Sequence, residues 1–267
     1  MRISGRGSKT AVCFAALLLM FGEGCSRSSP GVAATKSSAA QTTADPLEIP
    51  AGAEGALIWR GKVIFDHTPD QAKPWAGNAL SCSDCHLKSG TQAFGSPMYG
   101  AAKDYPSFSG RAGRVITLPE RLQECFVRSE NGQPPPEDSE VSKALVAYID
   151  WLSRDALKDR AATGRGYGDM PVLAGNAHRG LLLYATKCAG CHGREGVPNP
   201  PTLSPLWGPQ SWNDGAGMNI PAVLAKFLLR NMPADKPGTL SPQDAMDVAA
   251  WVDSRPRPKF NQAYRNY

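Results

Sequence analysis

Apolar side chains recur at helical spacing in several stretches of this 267-residue chain. The stretch 142–152 carries one apolar face, made of Ala144, Leu145, Tyr148 and Leu152. The same kind of spacing predicts three further helices, at residues 118–129, 179–184 and 242–252. One short run, Lys62–Phe65, looks strand-like instead. The pattern therefore predicts a mainly α-helical fold.

The helix predicted at 118–129 has recognisable ends. Thr117 and Glu120 match a capping box, and Pro119 is tolerated in a first helical turn. Asn131-Gly132 supplies a stop signal. The apolar stripe of this helix predicts core residues at Leu118, Leu122 and Phe126.

Residues 1–25 have the pattern of an export signal, with a basic start and an apolar run at 11–21 that is too short to span a bilayer. Cys25 is followed by a Ser/Ala/Thr-rich stretch, which is typical of a lipoprotein leader with a lipid anchor on that cysteine. Glu23 is unusual in such a leader, so an ordinary secretory signal fits equally well. We expect a periplasmic protein with a flexible linker at 26–46.

The net charge of +5 falls to +3 without residues 1–24, because that segment carries three basic residues and one acidic residue. A charge this small gives no reason to expect nucleic acid as a partner. The chain holds 27 glycines and 23 prolines and is only 8% aromatic. Such a loop-rich chain is expected to complete its core with something besides its own side chains.

Two matching motifs contain four of the five cysteines that follow the leader: Cys82-Ser-Asp-Cys85-His86 and Cys188-Ala-Gly-Cys191-His192. This spacing is the attachment signature of c-type haem, in which two thiols form thioethers and the adjacent histidine binds iron. A zinc site would need more ligands, and only His67 and His178 remain, which we expect to be structural or exposed. A redox-active dithiol does not need a histidine directly after it, twice.

The flanks of the two motifs also repeat. The late helices contain the related sequences AYID (147–150) and AWVD (250–253). We therefore predict two tandem class I-like cytochrome c domains, each with one covalent haem, at residues 47–160 and 171–267. The Gly-rich segment 164–168 lies in the predicted linker, residues 161–170.

Each haem iron has a further axial position. In the second half, Met232 precedes a proline and lies 40 residues after His192, which predicts it as the ligand. Met218, 26 residues after the histidine, is the alternative and is otherwise a packing residue.

In the first half, the equivalent interval leads to a cysteine. Cys125 lies 39 residues after His86 and is predicted to be the distal ligand of the first haem. Met98 is an alternative, although it lies only 12 residues after His86, a short reach across a haem. Cys125 could also be a buried, inert thiol, since free cysteine packs as a small apolar residue.

The predicted helix places Arg121, Cys125 and Ser129 on one face, with Arg128 three residues after the cysteine. An anionic thiolate stabilises ferric iron, so the first haem is predicted to have the lower potential. The arginines would keep the sulfur deprotonated and attract a small anion, and Arg111 and Arg114 could extend the basic patch. We interpret the first haem as a reaction centre for an oxyanion.

The chain resembles dihaem thiosulfate dehydrogenases over most of residues 55–258. The resemblance rests on N-A-L-S-C-S-D-C-H-L (78–87), Y-P-S-F-S-G-R (105–111), L-P-E-R-L-Q-E-C-F-V-R-S-E-N-G (118–132), W-G-P-Q-S-W-N-D-G-A-G-M (207–218) and L-S-P-Q-D-A-M-D-V-A-A-W-V (240–252). Members of this family join two thiosulfates into tetrathionate and pass two electrons to a cytochrome or similar acceptor, and some favour the reverse reaction.

The resemblance implies His86/Cys125 and His192/Met232 as the two axial pairs, and Arg111, Arg121 and Ser129 as substrate contacts. Some relatives have a lysine before the distal methionine that can exchange with it as ligand; Asn231 stands here, which argues against such a switch. Coupling could proceed through a transient Cys125–thiosulfate adduct or through successive one-electron steps. Two rival functions are a non-enzymatic dihaem electron carrier and a thiolate–haem cytochrome of a multiprotein sulfur-oxidation system.

Overall fold

Helices dominate the structure, a computed structural model that describes residues 47–161, 164–198 and 203–267. The predicted export signal, the Cys25 anchor and the 26–46 linker lie outside the described residues. The long helices are Gly52–Asp66 (α1), Leu118–Arg128 (α2), Glu140–Leu152 (α3), Ala177–Lys187 (α4), Pro221–Asn231 (α5) and Pro242–Asp253 (α6). One-turn α-helices occupy Thr68–Gln71, Cys82–Cys85, Leu87–Gly90, Lys158–Ala161 and Ala189–His192. Short 3₁₀ helices occupy Ala101–Asp104, Asp155–Leu157, Gly217–Asn219 and Gln262–Tyr264.

A small hairpin, which the sequence pattern did not predict, precedes α2. Its strands Ser107–Ser109 (β1) and Arg114–Ile116 (β2) are antiparallel, with Phe108 opposite Val115. The side chains of these two central residues are largely exposed. The hairpin therefore adds little to the core, and it presents the loop that carries Arg111.

Two helix crossings repeat in the chain, α1 with α3 and α4 with α6. Each crossing brings a glycine against a carbonyl group: a Cβ atom on Gly61 would lie 1.9 Å from the Ala144 oxygen, and one on Gly180 would lie 1.9 Å from the Asp247 oxygen. Only a residue without a side chain allows backbones to approach this closely. The predicted late helices are confirmed, and the crossings show that each packs on its own earlier helix.

The strand-like interpretation of Lys62–Phe65 was wrong, because this run lies inside α1. Ile58, Gly61, Ile64 and Phe65 are buried, which is the three-to-four spacing of a helix face. A repeat signal was available in the sequence. Arg60-Gly61 followed four residues later by Phe65 matches Arg179-Gly180 followed by Tyr184.

Two hydrophobic clusters form the core. One surrounds Phe65, Leu145 and Tyr148, and the other surrounds Tyr184 and Trp251. This duplication agrees with two tandem, mainly helical cytochrome c domains, although their exact boundaries stay predictions. Leu80, from the first half of the sequence, is buried in the second cluster. The described residues belong to one compact unit.

In the part of the chain that the structure describes, no helix combines the length and the apolar character needed to cross a bilayer.

Candidate active site

The first motif forms a single helical turn, Cys82–Cys85, that is held at its start by polar contacts. The backbone nitrogen of Ser81 donates to the Asp84 carboxylate at 2.7 Å, and that of Cys82 donates to the Thr68 hydroxyl at 3.2 Å. Burial raises the pKa of the Cys82 and Cys85 thiols. The turn therefore presents two protonated thiols three residues apart, directly before His86.

The His86 ring is oriented by its own chain. Its Nδ1 atom lies 2.7 Å from the carbonyl oxygen of Ser96. Since a carbonyl only accepts, Nδ1 donates this bond and the lone pair of Nε2 remains free to bind a metal. Burial lowers the pKa of His86 to about 4, which keeps the ring neutral as ligation requires. The residues of the first motif therefore fit a covalently attached haem.

The second motif occupies the turn Ala189–His192 and the preceding Cys188. Burial raises the pKa of the Cys188 thiol to about 11, whereas Cys191 is exposed. Burial also lowers the pKa of His192, whose Nδ1 has no hydrogen-bond partner among the described residues. A neutral histidine directly after two thiols fits a second covalent haem.

Cys125 lies beside the first motif. It is on α2 and half-buried. After burial and nearby acidic groups, electrostatic interaction with Cys125 also raises the pKa of Cys82 and Cys85, so the three sulfur atoms lie close together. More than 35 residues of sequence separate Cys125 from either thiol. The fold thus brings together the isolated cysteine and the Cys82–His86 motif, and the ligand role of Cys125 stays a prediction.

The three candidate methionines have different surroundings. Met98 packs beside Gly90 and Phe65, and the Phe65 ring lies 6.0 Å from the His86 ring. Met98 therefore belongs to the apolar side chains that pack near the His86 ring. Met218 is 8% exposed and belongs to the second core, whereas Met232 is half-buried directly after α5. The pairing of Met232 with the second motif stays a prediction.

Arg121 is the arginine most closely associated with Cys125. Electrostatic attraction to the Cys125 sulfur is the largest cause that raises the pKa of Arg121. Its Nη1 atom donates to the Glu124 carboxylate at 2.8 Å. Burial raises the pKa of the neighbouring Tyr105 hydroxyl, and the positive charge of Arg121 opposes this effect. Arg121 is therefore a fixed cation beside the thiol.

The remaining predicted contacts are less uniform. Arg111 is exposed in the hairpin loop, and its Nη2 would lie 3.4 Å from a Cβ atom on Gly217. Ser129 follows α2, half-buried, with its backbone nitrogen bound to the Cys125 carbonyl. Arg114 forms an ion pair with Glu120, with its Nη1 atom 2.6 Å from the carboxylate oxygen.

Arg128 has partners that the sequence did not predict. It is 8% exposed, its Nη2 donates to the Tyr267 carbonyl at 2.7 Å, and its guanidinium lies 4.2 Å from the centre of the Phe260 ring. The helix places its side chain next to Arg111 and Arg121, whose charges add to burial in lowering the pKa of Arg128. Its bonds, however, join α2 to the C-terminal segment.

Sequence reasoning missed several residues near the site, among them Ser96, Tyr105, Glu124 and Tyr167. Tyr105 stands in the YPSFSGR stretch that carried part of the resemblance, which was an available signal. Tyr167 belongs to the predicted linker, yet it lies close to the first motif: burial is the largest cause that raises its pKa, and electrostatic interaction with Cys85 is the next. Only the three-dimensional structure shows that this linker residue reaches the first motif.

Comparison with known families agrees with this geometry. Residues 71–157 match the family described as SoxA/TsdA, cytochrome c domain, and residues 175–252 match cytochrome C oxidase, cbb3-type, subunit III. Each match contains one of the two motifs. The fold class and the two covalently bound haem c groups predicted from the sequence are thus confirmed.

Curated relatives are thiosulfate dehydrogenases. That of Stutzerimonas stutzeri is 39% identical over 79% of this chain and 71% of its own length, and that of Allochromatium vinosum is 36% identical over 80% and 83%. The solved structure of thiosulfate dehydrogenase (TsdBA) from Marichromatium purpuratum matches with a TM-score of 0.74 and 38% identity. The match covers 80% of this chain and 49% of that structure, so the chain spans about half its length. The chain belongs to the thiosulfate dehydrogenase family.

Proposed function

We propose that this protein oxidises two thiosulfates to tetrathionate. One observation carries the proposal: Cys125 and Arg121 lie together beside the Cys82–His86 motif. This arrangement combines a cysteine sulfur with a fixed cation at a haem attachment site. A simple electron carrier needs neither group.

The reaction joins two dianions. One S–S bond forms between the outer sulfur atoms, two electrons leave and no proton is exchanged. The haem groups, when bound, supply the electron acceptors. Arg121 and Arg111 would bind the sulfonate oxygens and reduce the repulsion between the two thiosulfates, because guanidinium groups bind oxyanions through charge-assisted hydrogen bonds. The same contacts serve the reverse reaction, since both directions pass through one transition state.

We propose His86 and Cys125 as the residues that hold the first iron, and His192 and Met232 as those that hold the second. The Nδ1 bond of His86 and the half-buried position of Met232 support these pairs. An anionic sulfur ligand lowers a haem potential relative to a thioether, so the first site is suited to chemistry and the second to electron exit.

We also propose an electron acceptor and a cellular location for the protein. Electrons would pass from the second site to a cytochrome or a similar soluble acceptor. The N-terminal sequence supports export to the periplasm, and we propose Cys25 as an optional lipid anchor.

The test uses the purified holoprotein alone with thiosulfate and ferricyanide. We expect tetrathionate in a ratio of one to every two thiosulfates consumed. Failure to form tetrathionate would contradict the proposed enzymatic activity. The electron-carrier rival predicts no product under these conditions, and the multiprotein sulfur-oxidation rival predicts product only after a carrier protein is added.

A further inference from the structure

Glu124 is a buried carboxylate beside a site proposed to bind anions. Its residue is 3% exposed, and it directly precedes Cys125 on α2. A carboxylate in this position repels a bound anion unless its charge is neutralised by other groups. Both of its oxygens are used: Oε1 accepts from the Ser109 hydroxyl at 2.6 Å, and Oε2 accepts from Arg121 at 2.8 Å.

The bond to Ser109 connects Glu124 to the loop that carries Arg111. Ser109 is the last residue of β1, and its hydroxyl oxygen accepts from the backbone nitrogen of Ala112 at 3.2 Å. Its carbonyl accepts from the nitrogen of Gly113 at 2.8 Å. Ser109 thus closes the turn around Arg111, so one carboxylate fixes this turn and the Arg121 guanidinium together.

Charge gives Glu124 a second effect. Burial lowers the pKa of Arg128, and the positive charges of Arg111 and Arg121 lower it further, whereas the Glu124 carboxylate raises it. Glu124 also raises the pKa of Arg121, after the larger effect of Cys125. The carboxylate therefore offsets repulsion among three arginines when no substrate is present.

We propose that Glu124 is the positioning residue of the oxyanion site. It acts through Arg121 and the Ser109–Gly113 turn and does not contact the substrate. By holding both cations in place before binding, it reduces the ordering that a small sulfur oxyanion must otherwise induce. This inference rests on the proposed function, since it assigns Arg111 and Arg121 to thiosulfate.

The experiment compares three holoprotein variants with the wild type. Glu124→Gln keeps the shape of the side chain and removes the ion pair with Arg121. Ser109→Ala removes the link to the hairpin and leaves all charges intact. Glu137→Gln, at an exposed loop position, is the control for the loss of one negative charge. The kinetic measurements are kcat and KM for thiosulfate, with ferricyanide as the electron acceptor. Calorimetric titration gives the dissociation constants for thiosulfate and for sulfate.

Glu124→Gln is expected to raise KM and the thiosulfate dissociation constant about tenfold while kcat changes less than about threefold, the loss of about one charge-assisted hydrogen bond. Ser109→Ala should shift both in the same direction by a smaller factor, and Glu137→Gln should shift neither. Unchanged or tighter binding in Glu124→Gln would overturn the proposal. If that variant fails to attach haem, Ser109→Ala decides alone: a raised dissociation constant supports the proposal and an unchanged one overturns it.

The proposed function and the proposed role of Glu124 can be refuted independently. A wild type that forms no tetrathionate contradicts the proposed function. The titrations with thiosulfate and sulfate still report whether Glu124 organises an anion site in that case.

Discussion

The side-chain nitrogen of Asn231 lies 2.9 Å from the carbonyl oxygen of Phe94, and this bond joins α5 to the loop after the first Cys-x-x-Cys-His motif. Asn231 is 4% exposed, and its oxygen accepts from Gln92 at 2.8 Å. The loop continues to Ser96, which accepts from His86, while Met232 directly follows Asn231. One amide therefore connects the surroundings of both proposed iron sites.

Asn231→Ala should lower the free energy of unfolding by about 2–3 kcal/mol, because it leaves buried hydrogen-bonding groups unpaired. Urea unfolding of the holoprotein, followed by circular dichroism, measures the change. Gln92→Ala should cost less when Asn231 is already alanine, since the two side chains share a bond. Strictly additive effects would show that the bond between Gln92 and Asn231 contributes nothing.

Cys125→Met should lower the rate of thiosulfate oxidation at least about 100-fold. It should also raise the reduction potential of the first haem, because a neutral thioether replaces an anionic sulfur. Steady-state assays and a spectroscopic redox titration check the two effects. Met98→Leu is the matched control and should change neither. A Cys125→Met variant with full activity would remove Cys125 from the ligand assignment.

Met232→Ala should change the spectrum and lower the potential of the second haem, since the iron loses a thioether that stabilises the ferrous state. Met218→Leu should leave both unchanged because Met218 packs in the second core. The opposite result, a shifted spectrum in Met218→Leu alone, would exchange the roles of the two methionines.

Substitution of Arg111 should affect substrate binding, whereas substitution of Arg128 should affect stability. Arg111→Ala, at an exposed position, should raise KM about 10- to 100-fold with little change in stability. Arg128→Ala should lower the free energy of unfolding by about 2–4 kcal/mol, because it breaks the bond to Tyr267 and the contact with Phe260. Thermal unfolding combined with kinetics measures both. Equal stability losses in the two variants would contradict the distinction.

Asp253 should make the unfolding free energy depend on pH. Burial, opposed by Arg257, raises the pKa of Asp253 from 3.8 to about 7. A raised folded-state pKa stabilises the protein at low pH, and this contribution is lost as pH rises through about 7. Asp253→Asn does not titrate, so its stability relative to the wild type should increase between pH 5 and pH 8. Denaturant unfolding at both pH values measures this difference, and a constant difference would refute it.

Local patterns predicted the helices with clear ends. Helix α2 begins after the Thr117/Glu120 capping box, as expected, and the left-handed backbone of Asn131 (φ 48°) follows it. These signals act over a few residues and need no tertiary information. Helix α1 was missed in part because Lys62–Phe65 contains β-branched residues, and burial against α3 outweighed that local preference.

The sequence by itself determined the chemistry: two haem attachment motifs, a cysteine at the interval where the second half has a methionine, and a helix that places Arg121 and Cys125 one turn apart. Only the tertiary structure decided which polar groups hold these residues in place. The partners of Glu124, Arg128 and Asn231 include groups that lie 15, 139 and 137 residues away along the chain. Spacing in a sequence reports neighbours on one helix, whereas such contacts arise when separate elements pack.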